Sequence, residues 1–197
     1  MYMTRQAAEM SMLFLVFMAL SGSMVAASGS QSTSGHTHLP AGQSVYLDHA
    51  RTELVEWYPW GNEAFAKARE RNQPVLLDLG AIWCGWCSAM ERESYSDGET
   101  AAFINSHFVA IKVDYDEDLK FSAELERAQA IINLPAGLPL TAFITPDGKL
   151  YSGGGYFPKI ASQNKPAFRE VLEQASRTYQ EHRADLERDS FQLKTGD

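Results

Sequence analysis

The chain reads as an α/β domain, a central mixed β-sheet flanked by helices, and three observations predict it. Apolar, β-rich runs at Val75–Leu79 and Phe108–Val113 alternate with helix-like segments, as in parallel strands joined by crossovers. Leu140–Ile144 and Lys149–Tyr151 then flank Thr145-Pro146-Asp147-Gly148, a hairpin signal that adds an antiparallel pair. Between the first strand and the helix that follows it stand the chain's two cysteines, in Trp83-Cys84-Gly85-Trp86-Cys87.

The 197 residues suit one domain with extensions, and a hydrophobic share of 45% is ordinary for a chain with a real core. A net charge of −8 without a basic cluster argues against nucleic acid as a partner. No apolar run is long enough to predict a membrane span. Met12–Leu20 is a short apolar core, and Val25-Ala26-Ala27 follows it with small residues at a cleavage point. Residues 1–27 therefore read as a signal peptide, with an uncleaved anchor as the alternative because Glu9 offsets Arg5. No cysteine follows the apolar core at the cleavage point, so no lipoprotein anchor is expected. Export to the periplasm or the extracellular space would put the cysteines where disulfides persist.

Residues 28–44 are polar and read as a flexible linker; they hold His36 and His38, a metal-binding arm or two histidines of a leader. Residues 45–183 make the folded domain, and 184–197 a polar C-terminal tail. Trp57, Tyr58, Pro59 and Trp60 form an aromatic cluster suited to core packing of the entry segment. A helix from about Asn62 to Arg71 follows, with Asn62 as its cap, then strand Val75–Leu79 and a helix carrying the cysteines to about Tyr95. Asp97 to about Asn105 is a short helix, and Phe108–Val113 a central strand. Asp114, Asp116, Glu117 and Asp118 make an acidic turn, read as a solvated surface because it lacks the glycine and terminal glutamate of an EF-hand. A helix around Leu119–Ala130 precedes the hairpin, and a long amphipathic helix from Lys165 puts Phe168, Val171, Leu172, Ala175 and Tyr179 on one face.

A strand that delivers two cysteines to a helix start is the layout of a thiol–disulfide site, because free N–H groups and the helix dipole there favour a thiolate. Two other uses of the pair stand beside it. It is half of a zinc site, but no second cysteine pair completes four ligands. As a structural bridge it closes so small a loop that it stabilises little.

These residues resemble the thioredoxin family. Trp83-Cys84-Gly85-x-Cys87 is similar to its active site, with Trp86 where proline is usual; Asp78, six residues before Cys84, takes the place of its buried acid. Pro139 resembles its cis-proline; Pro135 competes, but a strand begins immediately after Pro139. A closer resemblance, over about Glu53 to Pro158, is to the thioredoxin-like domain of the spermatogenesis-associated protein 20 and bacterial YyaL family. Trp57-Tyr58-Pro59-Trp60-Gly61-Asn62, Met90-Glu91-Arg92-Glu93-Ser94, Asn105-Ser106-His107-Phe108-Val109, Pro139 to Gly148, and Gly154-Gly155-Tyr156-Phe157-Pro158 carry it. Members of that family generally continue into a large helical toroid, hold a histidine inside C-x-x-C and have no acid at the Asp78 position. Gly85 and Asp78 depart from that pattern toward thioredoxin itself.

The resemblance implies a thioredoxin fold and a thiol–disulfide oxidoreductase with no cofactor, acting on protein disulfides or dithiols together with a redox partner; the N-terminal segment adds the expectation of export. Cys84 is the expected nucleophile and Cys87 the resolving thiol. Asp78, a carboxylate expected without a charge partner in an apolar strand, would take the Cys87 proton through a water. Leu138 and a cis Pro139 would present backbone to an extended substrate, and Trp83 and Trp86 would form an apolar collar around it. The alternative is a non-catalytic binding module or a metal chaperone that uses the cysteines with His36 and His38.

Overall fold

The computed structural model describes residues 37–162 and 164–194. The signal segment and linker residues 28–36, His36 among them, lie outside the described residues. Six strands and six helices follow in the order α1 (Val45–Ala50), β1 (Trp57–Tyr58), α2 (Asn62–Arg71), β2 (Val75–Gly80), α3 (Gly85–Met90), α4 (Gly98–His107), β3 (Val109–Asp114), α5 (Leu119–Ile131), β4 (Leu140–Ile144), β5 (Lys149–Gly154), α6 (Phe168–Asp189) and β6 (Phe191–Gln192). A π-helical stretch, Glu91–Tyr95, continues α3 directly.

The strands form one mixed sheet in the order β1-β3-β2-β4-β5-β6. β3 runs parallel to both β1 and β2; β2–β4, β4–β5 and β5–β6 are antiparallel. The expected α/β sheet flanked by helices is thus present, with the thioredoxin-fold core of β3, β2, β4 and β5 at its centre. Side chains alternate across it with period two. Val75, Leu77, Leu79, Val109, Ile111 and Val113 pack with Phe65 and Ala68 of α2 and Leu125 and Ala128 of α5. On the other face Leu76, Ala110 and Phe143 pack with Ala50 of α1, Met90 of α3, Ile104 of α4 and Leu172 of α6, and the cysteines join this layer. The hairpin turn between β4 and β5 places Gly148 at φ 87°, a left-handed conformation that glycine adopts without a Cβ penalty.

The structure departs from the sequence reading at several points; among them, α6 begins at Phe168 rather than Lys165 and β3 spans Val109–Asp114. Order begins before Val45: His38 N donates to Trp57 O at 2.8 Å, Leu39 is buried, and Ser44 caps α1 through the Leu47 amide. Burial of Leu39 and stacking of His38 on Tyr58 supply what a polar linker lacks. Trp57 and Tyr58, read only as an aromatic cluster, are the edge strand β1, and both are buried. Asn62 is the first residue of α2 rather than its cap; Gly61 holds the cap position. The expected polar tail instead ends α6 at Asp189 and returns as β6 on β5, where Leu193 is buried. The acidic turn, too, is more than solvated surface: Asp118 caps α5, accepting from the Lys120 and Phe121 amides, and Asp114 is buried.

Candidate active site

β2 ends at Gly80 in the middle of the sheet, and the chain turns through Ala81, Ile82 and Trp83 into α3. Cys84 is the N-cap of α3, in extended conformation, and its Sγ accepts the Cys87 N–H at 3.1 Å. Cys84 and Cys87 are joined as a disulfide. Cys84 is 6% exposed and Cys87 1%, so the sulfur at the helix start is the one nearer solvent. A helix-start amide aimed at a cysteine sulfur is the kind of donor that favours a thiolate.

The two tryptophans of the motif are 64% and 62% exposed, far more than large rings in the core. Trp83 is tethered, donating its indole N–H to Asp116 Oδ2 at 2.7 Å and lying edge-on to Tyr115. Trp86 leans on Tyr156, ring centroids 4.9 Å apart, and Tyr156 in turn donates to Glu93. With Ile82, 45% exposed, they make an apolar surface around the disulfide.

The Leu138–Pro139 peptide bond is cis, as expected for Pro139 and in preference to Pro135. Leu79 pairs with Leu140, so Pro139 stands at the sheet end where β2 turns toward the cysteines. Leu138 packs against the cluster that contains both cysteines.

Asp78 is buried, as expected, but it is not without a partner. It sits opposite Lys112 in the β2–β3 register, and its Oδ2 accepts from Lys112 Nζ at 2.9 Å and from the Tyr46 hydroxyl at 2.9 Å. Lys112 is itself fully enclosed. Glu91 Oε1 lies 3.1 Å from its ammonium, within ion-pair reach but outside hydrogen-bond geometry, and Glu53 Oε1 lies at 3.8 Å. The rings of Tyr46, Trp57 and Tyr95 surround the ammonium at 4.6, 4.9 and 5.2 Å, a cation–π cage. Burial works against the Lys112 charge, but Asp78, then Tyr46, Glu53 and Glu91, outweigh it and hold the ammonium well above its ordinary pKa. Burial pushes the Glu53 carboxyl up, though Lys112 pulls it down and Trp57 donates to it at 2.6 Å. Tyr46 is raised well above the ordinary phenol range by burial and then by Asp78.

The structure therefore brings Cys84, Cys87, Trp83, Trp86, Leu138 and Pro139 to one end of the sheet, with Asp78 beneath. His38 belongs elsewhere: it stacks on Tyr58 and meets Glu56 at 3.2 Å and Glu63 at 3.3 Å. Sequence reasoning missed Tyr46, Glu53, Glu91 and Lys112. One signal was there to find. Lys112 interrupts an apolar strand as Asp78 interrupts another, and a buried charge of each sign on two central strands predicts a pair.

The family described as "Protein of unknown function, DUF255" matches residues 36–195. An uncharacterised protein of Caenorhabditis elegans is 37% identical over 130 residues, 66% of this chain and 18% of that protein. Spermatogenesis-associated protein 20 of Homo sapiens is 32% identical over 153 residues, 78% of this chain and 20% of its own length. The chain thus spans at most 20% of these two relatives. Among solved structures, a DsbH oxidoreductase aligns with a TM-score of 0.49 at 21% identity, covering 62% of this chain and 85% of that one. A thioredoxin from Thermus thermophilus aligns with a TM-score of 0.47 at 21% identity, covering 65% and 96%.

Proposed function

The chain belongs to the DUF255 family and is related to spermatogenesis-associated protein 20, and from that premise we propose that it is an exported thiol–disulfide oxidoreductase working through Cys84 and Cys87. The observation that carries the reading is the Cys84–Cys87 disulfide at the start of α3, above a buried acid and inside an exposed aromatic rim. In the reducing direction the Cys84 thiolate attacks one sulfur of a substrate disulfide, and the other substrate sulfur leaves as a thiolate. Cys87, deprotonated, then attacks Cys84 Sγ. The Cys84–substrate bond breaks, the second substrate sulfur leaves, and the protein disulfide re-forms. Two electrons pass from the cysteine pair to the substrate; the oxidising direction is the reverse.

Trp83 and Trp86 supply apolar contact to a polypeptide substrate, and the backbone at Leu138 lies beside the cysteine layer for strand-like pairing. Asp78 receives the proton that Cys87 gives up, with Lys112 balancing the carboxylate before transfer. The apolar run Met12–Leu20 followed by Val25-Ala26-Ala27 supports export.

The test is disulfide reduction of a protein substrate, with a dithiol as reductant, by protein lacking residues 1–27. Cys84→Ser is expected to abolish turnover, and Cys87→Ser to accumulate a mixed disulfide with substrate. Wild-type rates in both variants would remove the catalytic reading. The reduction potential of the pair then sets the direction: a low value marks a reductase, a high one an oxidase or isomerase.

A further inference from the structure

Gly80 is the last residue of β2, and its missing side chain is a spatial requirement. A Cβ there would overlap Tyr46 Oη and lie 2.7 Å from Tyr46 Cζ and 3.2 Å from Cys87 Sγ. The phenol oxygen and the resolving sulfur therefore abut the same point beside the Gly80 Cα. The same hydroxyl donates to Asp78 Oδ2 at 2.9 Å. Tyr46 comes from α1, an element outside the strand–helix unit that carries the cysteines, and it is buried in the layer that holds both sulfurs.

We propose that Tyr46 is the proton conduit between Cys87 and Asp78, its hydroxyl doing what a bound water was expected to do. This rests on the exchange chemistry proposed above. In the step, the Cys87 S–H proton passes to Tyr46 Oη as the Tyr46 O–H proton passes to Asp78 Oδ2. Cys87 becomes a thiolate, Asp78 a carboxylic acid, and Tyr46 is unchanged. The thiolate attacks Cys84 Sγ and expels the substrate thiolate, which takes up a proton as Asp78 returns one. No external oxidant or reductant enters.

A relay of this kind needs a phenol that does not itself ionise. Burial favours the neutral phenol first, then Asp78 on β2 and Glu91 at the start of the π-helical stretch; Lys112 on β3 pulls the other way and is outweighed, so the Tyr46 hydroxyl stays well above the ordinary phenol range. Tyr95 Oη is buried without a hydrogen-bond partner among the described residues, so it offers the proton no competing bonded path.

Stopped-flow reaction of the reduced protein with dithiobis(nitrobenzoate) separates the two thiols. The first coloured thiolate reports attack by Cys84, the second reports resolution by Cys87. In Tyr46→Phe the first phase is expected to keep its rate and the second to slow by about a hundredfold or more, the usual loss of a positioned proton-transfer group. The slowed phase should recover as pH rises, because Cys87 then loses its proton to solvent. Gly80→Ala, which must displace the hydroxyl, should give the same selective loss if Tyr46→Phe proves poorly folded. A second phase with wild-type rate and pH dependence in either folded variant overturns the conduit while leaving the exchange reaction standing. Wild-type protein that releases no second thiolate overturns both.

Discussion

The two faces of the sheet are built from the same strands and differ in chemistry. On the α2–α5 side Val75, Leu77, Leu79, Val109, Ile111 and Val113 belong to a buried hydrophobic cluster with Phe65, Ala68, Leu125 and Ala128. One residue along each strand, on the cysteine side, Asp78 and Lys112 are enclosed with Tyr46, Glu53, Glu91 and Tyr95. The apolar face holds the fold by burial alone. The cysteine face spends stability on a desolvated cluster in which three carboxylates share one ammonium, and this would keep the proposed proton acceptor out of water. The difference teaches that one β-strand can serve as scaffold and as reagent, divided by the pleat.

Lys112→Met should break that comparison most severely. It leaves three carboxylates in one enclosure with no cation, and a loss of about 3–5 kcal/mol is expected. The deficit should shrink as pH falls, since protonation relieves the carboxylates. Leu77→Ala, on the opposite face, should lose about 2–5 kcal/mol by leaving a cavity. Its deficit should stay level with pH, and its exchange rate per folded molecule should match wild type. Denaturant melts of both variants across acid and neutral pH make the test; parallel pH behaviour would dissolve the distinction between the faces.

Asp78→Asn should come next, at about 1–3 kcal/mol of destabilisation at neutral pH. An acid without a partner would have given the opposite sign, but here the charge removed is the one bonded to Lys112 and Tyr46. Stabilisation of the variant in equilibrium melts would mean that the pair costs more than it returns. Slower resolution by Cys87 should accompany the loss.

Glu53→Gln is the gentlest probe. Burial raises the folded pKa of Glu53 above its unfolded value. Its contribution is therefore fully present below the unfolded pKa and declines as pH rises through the folded one. Relative to wild type, Glu53→Gln should become more stable between about pH 4 and neutrality, while the amide oxygen still accepts from Trp57. Stability curves that run parallel over that interval would show that folding does not raise the Glu53 pKa.

What the sequence reveals of this molecule follows the reach of each signal. Cys84, Cys87, Asp78 and the Pro139 strand entry lie in short contiguous motifs, so their places in the fold are readable from neighbours and from the family resemblance. Tyr46, Glu53, Glu91 and Lys112 converge from α1, the segment after it, the π-helical stretch and β3, and no local pattern links them. α1 and β1 escaped because six and two residues are too few to show a period. The end of the linker was misplaced because Leu39 is one apolar residue among polar ones, and it is tertiary burial that orders it. The C-terminal return escaped for the same reason: Phe191 and Leu193 are isolated in a charged stretch.

Among the described residues the sheet ends in two-residue strands on both sides, β1 at one edge and β6 at the other. A strand that short leaves few unpaired amides and carbonyls for another chain to lengthen. β6 is also fastened over the hairpin, with Leu193 N donating to Gly148 O at 2.8 Å and the Gln192 side chain donating to Asp147 O. A protein that exchanges disulfides with polypeptides, as proposed, would meet segments able to add a strand to an open sheet edge. Clipped edges make such encounters brief ones, so that contact at the cysteine rim need not seed co-aggregation.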